Sequence, residues 1–173
     1  MFTYFTLQLL QNGVFDPIMA HKIDQIDLRI LAAMQADSSR SQRELADEVG
    51  LSQNAFWRRL KALEASGAIT GYGARVSQEA IGVPMTVFVM VRTRRHSAEW
   101  LKRFRAQIES ISEIVAFYRI SGDFDYMLKI AARDMSNYDK VYQTIINKTE
   151  LETVTSYFSM EAIIDGRPFP IGR

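Results

Sequence analysis

A chain of 173 residues with 47% apolar and 24% charged side chains can bury one sizeable core or two small ones, and has the make-up of a globular protein. Its 21 basic residues against 20 acidic ones leave a net charge of +1, so no global field advertises nucleic acid and any such attraction has to be local. The absence of cysteine excludes disulfides, thiolate chemistry and Cys-ligated zinc and fits a cytoplasmic protein, while His21 and His96 lie too far apart in sequence to suggest a metal site.

Residues 1–21 open with the apolar stretch MFTYFTLQLLQNGVFDPIM, which contains no Lys or Arg. It lacks the charged start of a signal peptide and is broken too early to span a bilayer, so no membrane partner is expected. The stretch reads as an extension, disordered or contributed by an upstream start codon, with Met19 an equally natural beginning. An added helix or strand packing on a partner is the alternative.

From Asp24 the pattern turns helical. Ile26, Ile30 and Ala33, with Leu31 and Met34, recur at three- and four-residue steps through about Ala36. The polar run Asp37-Ser38-Ser39-Arg40 ends this helix. Ser41 with Glu44 three residues later forms a capping box that starts a second helix over Gln42 to Val49. Gly50 supplies the backbone freedom to stop it, and Ser52 caps a third helix that runs to about Ser66 and is closed by Gly67. Residues 22–67 therefore predict a three-helix domain with a helix-turn-helix at 41–66.

Residues 68–83, with Ile69, Tyr72 and Val76 among glycines, read as a strand-like linker and a domain boundary. Residues 84–164 change character. Strands are expected at Met85 to Arg94, Ile114 to Ser121, Asp125 to Ala131 and Leu151 to Ile163, with helices at Ala98 to Ile108 and Ser136 to Ile146. The order βαββαβ is the ferredoxin-like split βαβ arrangement, an antiparallel sheet with both helices on one face, and the fold class is α+β. Residues 165–173 form a C-terminal tail. In the first strand Val87, Val89 and Val91 point one way and Phe88 and Met90 the other, so both faces are apolar. Helices cover one face, and a bare apolar face marks an interface, hence a homodimer through the sheet. The N-terminal stretch or the tail is the alternative cover.

The third helix carries the chemistry. Phe56, Leu60 and Leu63 make a buried stripe against Ile30, Leu45 and Val49, while Asn54, Arg58 and Lys61 occupy the other face. Residues 53–63 hold three positive charges and no negative one, a local footprint for phosphate in a chain that is otherwise balanced. Gln53 and Asn54 can read adenine in bidentate fashion, and Arg58 and Arg59 can read guanine or grip phosphate. With the helix N-terminus set against base edges, the expected double-stranded DNA contacts are Ser41, Gln42, Ser52, Gln53, Asn54, Trp57, Arg58, Arg59 and Lys61. Trp57 has two readings, a base or phosphate contact and a packing residue, and packing is the commoner fate of a helical Trp.

The run IDQIDLRILAAMQADSSRSQRELADEVGLSQNAFWRRLKALEASGAITGY resembles the N-terminal domain of the Lrp/AsnC, or feast/famine, transcriptional regulators, and the likeness extends to about Ile164. The resemblance implies that the second domain is a RAM module, which assembles dimers into octamers and senses small molecules, commonly amino acids. One departure is clear: the family often has Pro-Thr-Pro where this chain has Gln53-Asn54-Ala55, so no operator sequence carries over. By itself Ser121-Gly122-Asp123-Phe124-Asp125-Tyr126 reads as a turn in which Gly takes the strained position and Asp bonds local backbone. By resemblance this G-D-x-D loop lies where dimers meet and lines the effector pocket, which nominates Ser121, Gly122, Asp123, Asp125 and Tyr126, with Tyr118 as a wall on the preceding strand. Backbone N–H groups there can hold a carboxylate and an aspartate an ammonium. The runs at His96 to Trp100 and Phe158 to Ile163 are similar to a branch that includes cysteine-responsive regulators.

Two rival classes stand beside the regulator. Asp123, Asp125, Tyr126 and His96 are the only candidates for acid/base work, but no spacing sets up a nucleophile with its base, a P-loop or a metal cage. No catalytic residue, metal or cofactor is therefore expected. The other rival is a ligand-binding or assembly module whose helix-turn-helix makes only protein contacts.

Overall fold

A computed structural model describes residues 22–147 and 149–171; the extension at 1–21 lies outside the described residues. The chain divides into two compact units, one reaching to Gly73 and taking up the residues from Gly166 onward, the other spanning Ala74–Asp165. Among the described residues no helix is long and apolar enough to cross a membrane.

The first unit holds helices α1 (Gln25–Ala36), α2 (Gln42–Val49) and α3 (Gln53–Ala65). Each start is satisfied chemically. Asp24 caps α1, its carboxylate accepting the Ile26 and Asp27 N–H groups at 2.8 Å. Ser41 and Glu44 close the expected box on α2, and the Ser52 hydroxyl accepts the Ala55 N–H of α3. Gly50 ends α2 at φ 70°, a conformation that favours glycine, which turns the chain into α3 within three residues. Ile30, Ala33, Leu45, Ala46, Val49, Phe56, Leu60 and Leu63 form the core.

A charged pair lies beside that core. Asp27 sits on the buried face of α1 with no exposed surface, and its Oδ1 accepts a hydrogen bond from Arg59 Nη1 of α3 at 2.8 Å. The same nitrogen donates to Asp24 Oδ2 at 2.8 Å, and Asp27 Oδ2 accepts the Asp24 N–H at 3.1 Å. Two carboxylates and one guanidinium thus bolt the N-terminus of α1 to the middle of α3. The Asp27 bond, then the Asp24 bond, raises the Arg59 pKa, so the cation stays charged.

The second unit is the expected antiparallel sheet with strands β1 (Met85–Arg92), β2 (Ile114–Arg119), β3 (Tyr126–Ala132) and β4 (Thr153–Phe158) in the order β2-β3-β1-β4. Helices α4 (Ala98–Glu109) and α5 (Met135–Asn147) make the two crossovers. Strict alternation on β1 buries Val87, Val89 and Val91 with Tyr126, Leu128 and Ile130 against Trp100, Phe104 and Ile108 of α4 and Tyr138, Val141 and Ile145 of α5. The last strand is shorter than the apolar pattern from Leu151 to Ile163 implied, because pairing with β1 ends at Phe158 opposite Val87 and the chain leaves the ladder. The expected strand-like linker is not a strand: residues 68–69 form a bend and 70–77 have no regular structure and no ladder partner among the described residues.

Among the described residues, the opposite face of the sheet carries no helix. Phe88 lies across from Tyr157 and Lys129, and Met90 across from Met127 and Thr155, with Tyr118 next to Met127 on β2. Past β4 the tail rejoins the helical unit: the Phe169 N–H donates to Gln35 Oε1 at 2.9 Å and its carbonyl accepts from Gln35 Nε2 at 3.2 Å. A side-chain amide pairs there with one backbone unit in both directions.

Removing the guanidinium while keeping the aliphatic stem strands a buried carboxylate, so Arg59→Met is expected to cost the helical unit about 3 kcal/mol, read as a lowered urea midpoint in circular dichroism. Asp24 is held below the ordinary aspartate value of 3.8 by the Asp27 N–H bond first and by Arg59 among the lesser causes. Its contribution is complete above that value and is lost as the pH falls through the lowered one.

Candidate nucleic-acid interface and sensing loop

The Ser52 cap and the Phe56–Leu60–Leu63 stripe fix how α3 sits in its unit, and the stripe's burial decides which residues face out. At 3.6 residues per turn, Asn54, Trp57, Arg58 and Lys61 fall within a sector roughly 100° wide on the side away from the stripe. All four are exposed, as is Gln53 at the helix start. Arg58 makes no ion pair among the described residues, whereas Lys61 Nζ donates to Glu64 Oε2 at 2.6 Å. That lysine is half in water, and the pair is of the weak exposed kind that a phosphate can displace.

The predicted contact set separates into three kinds. Gln53, Asn54, Trp57, Arg58 and Lys61 share the exposed side of α3. Ser41 and Ser52 use their hydroxyls as helix caps, with Gln42 exposed beside Ser41, so the two serines have a structural task of their own. Arg59 turns inward to Asp27 and Asp24, with 27% of its side chain exposed. Apolar periodicity alone gives Asp27 no role. The readable signal was an acid at the one polar position of the Ile30–Ala33 face, matched by a second arginine beside Arg58.

Trp57 is 50% exposed and lies outside the core cluster, so packing among the described residues of its unit does not account for it.

In the second unit, residues 121–125 are stitched to the end of β1. The Asp125 N–H donates to the Val91 carbonyl at 2.9 Å, and Asp125 Oδ2 accepts the Thr93 N–H at 2.8 Å. The sequence anticipated a local aspartate bond; the bond made by Asp125 reaches 32 residues back to the partner strand. Gly122 takes φ 133°, a conformation that favours glycine and leaves Ser121 and Asp123 exposed at the tip. Arg92 Nε donates to the Asp123 carbonyl at 2.5 Å, and its guanidinium carbon lies 5.5 Å from the centre of the Phe124 ring. These two contacts orient a cation that makes no close ion pair among the described residues, with Glu152 near enough to feel its charge. Arg92 was missed because the expected strand ran through it to Arg94, which made it one more strand residue, whereas β1 ends there.

Of the residues nominated for the loop, Ser121, Gly122 and Asp123 stand together at the tip. Tyr118 is exposed on the open face of β2. Tyr126 is 3% exposed and points the other way, into a ring cluster with Trp100, Phe104 and Phe117, where burial above all raises its hydroxyl pKa. A recess near the end of β1 is walled by Arg94, Arg95, Glu150, Leu151 and Glu152. Its charges neutralise one another through Arg94–Glu152 at 3.0 Å and Arg95–Glu150 at 2.9 Å.

A helix-turn-helix followed by this sheet is matched by two family models, a winged helix-turn-helix DNA-binding model over residues 23–70 and the Lrp/AsnC ligand binding domain over residues 86–169. An AsnC family transcriptional regulator from Agrobacterium tumefaciens has the same fold at a TM-score of 0.81 and 40% identity, covering 85% of this chain and 96% of that one. The chain belongs to the Lrp/AsnC family. The DNA-binding transcriptional activator DecR of Escherichia coli is 37% identical over 150 residues, 86% of this chain and 99% of its own length. A transcriptional regulator from Neisseria meningitidis, solved as a complex with L-methionine, matches at a TM-score of 0.81 and 26% identity over 86% of this chain and 97% of its own. This family member is accordingly a DNA-binding transcriptional regulator, of a family of regulators and not of enzymes.

Arg58→Ala is expected to weaken binding of an operator fragment by about 1 to 3 kcal/mol, measured by fluorescence anisotropy, with the circular dichroism spectrum unchanged. Unaltered affinity would remove Arg58 from the interface.

Proposed function

We propose that this regulator reads the DNA major groove with the exposed side of α3 and adjusts its binding to a free amino acid held at the 121–125 loop between copies of the chain. The observation that carries the first half is the set Gln53, Asn54, Trp57, Arg58 and Lys61, exposed from the N-terminus of α3 to past its middle, on a helix whose opposite face is locked into the core. A second copy of the unit would present a second α3 to the next half-site, about one helical turn of DNA away.

For the effector, the loop offers both signs of charge that a zwitterion needs. Arg92 is oriented for a carboxylate and Asp123 extends an exposed carboxylate suited to an ammonium. The L-methionine complex of the Neisseria relative supports an amino acid as the ligand class. The dimer is carried by the helix-free sheet face, where Phe88, Met90, Met127, Tyr118 and Tyr157 gather without cover from the unit itself. Further assembly into octamers suits a loop shared between dimers. On this reading the protein works in the cytoplasm, beside the DNA.

A gel shift with fragments upstream of the protein's own gene and its neighbour tests the regulator, and salt-sensitive retardation is expected. No retardation by any fragment would leave only an assembly module. Phe88→Glu puts a charge in the sheet interface and is expected to raise the dimer dissociation constant at least about tenfold in sedimentation velocity, the two helices of the unit still folded. Scanning the twenty amino acids by thermal shift should find one that stabilises the wild type, and Asp123→Ala should abolish that shift while DNA binding survives. An intact shift in the variant would move the effector elsewhere.

A further inference from the structure

Trp57 is an apolar side chain set among polar ones. Half of it is in solvent, and the residues that share its side of α3 are Asn54, Arg58 and Lys61, with Gln53 at the helix start. No large exposed hydrophobic neighbour on α3 continues the patch, because the other apolar residues of the helix, Phe56, Leu60 and Leu63, are buried on the far side. An apolar docking surface for a protein is broad, with the polar groups at its rim. A lone indole ringed by amide and cationic groups matches a different surface, one that is anionic and hydrogen-bonding with isolated apolar spots.

The DNA major groove is such a surface. A helix lying in it meets base edges and phosphates, not base faces, so the indole cannot stack while the duplex is intact. Among the groups that base pairs present there, the apolar one is the 5-methyl of thymine. We propose that Trp57 packs its indole on a thymine methyl in each operator half-site; this rests on the reading of α3 as the recognition helix. Asn54, three residues earlier, stands about 4.5 Å back along the helix axis, close to one base-pair step. Its amide can take the N6 and N7 of adenine in the same or the adjacent pair. Together the two side chains specify an A·T-containing core for the half-site, with Arg58 and Lys61 left for guanine or phosphate. The departure at Gln53-Asn54-Ala55 makes this specificity the chain's own.

The test uses the full chain and an operator obtained by selection from random DNA. Each thymine in the selected site is replaced singly by deoxyuridine, which removes the methyl and leaves base pairing intact. For the wild type, one position per half-site should lose about fourfold in affinity, the worth of one buried methyl-sized group, and all other positions should be neutral. Trp57→Ala should bind the thymine site about fourfold or more weakly and be indifferent to uracil at that position. If no position is sensitive in the wild type, or if Trp57→Ala keeps the same sensitivity, the assignment is overturned. The wild-type scan needs no variant, so a scan without a sensitive position overturns the assignment even where Trp57→Ala misfolds; in that case Trp57→Gln, a polar replacement at a half-exposed position, takes the place of the alanine variant. Failure of the groove reading shows separately, as Gln53→Ala, Asn54→Ala, Arg58→Ala and Lys61→Ala all binding the selected site as tightly as the wild type.

Discussion

The position of α3 depends on a carboxylate buried where a hydrophobic residue would ordinarily sit. Asp27 has no exposed surface, and its charge is compensated by Arg59, reaching across from α3, and by the Asp24 N–H at the helix start. Apolar packing of Phe56, Leu60 and Leu63 supplies most of the cohesion, but it is non-directional and tolerates small rotations of one helix on another. A charged hydrogen bond of 2.8 Å from Arg59 to Asp27 does not. A rotation of α3 about its axis would re-aim the exposed Asn54, Trp57 and Arg58 while breaking that bond. Register between α3 and its support is therefore set by polar geometry, and affinity for the support by burial.

The second unit gives the two faces of one sheet different surroundings. Alternation gives Val87, Val89 and Val91 to the helices and Phe88 and Met90 to the open side, so the same strand builds the core and the proposed contact surface. The 121–125 loop belongs to the end of that arrangement. Asp125 anchors it to β1 through backbone bonds, which leaves Asp123 to project and Arg92 to lie along the loop. Two aspartates two residues apart thus have different tasks, one structural and one exposed.

Much of the architecture was legible because it rests on local rules. The caps Ser41 and Ser52, the stop at Gly50 and the helical stripe of α3 are short-range features that no tertiary contact overrode. The βαββαβ order followed from alternation, while the bounds did so less well: β1 and β2 stop at Arg92 and Arg119, short of Arg94 and Ser121, and β4 is cut at both ends, most of all past Phe158, where the apolar run has no neighbouring strand to pair with. The candidate site was less legible. Arg58 and Arg59 are adjacent and chemically identical, yet one faces outward and the other grips Asp27; Tyr118 and Tyr126 belong to paired strands and face opposite ways.

By itself the sequence determined the elements, their order, the two units and the face of α3 that carries the positive charge, because periodicity and capping are written in neighbouring residues. The tertiary structure alone decided which polar residues remain available. It took Arg59 and Tyr126 inward, tied Asp125 to a strand 32 residues earlier, oriented Arg92 on the loop and left Trp57 half in water. A side chain's availability depends on partners brought together from distant positions, and no local pattern records that distance.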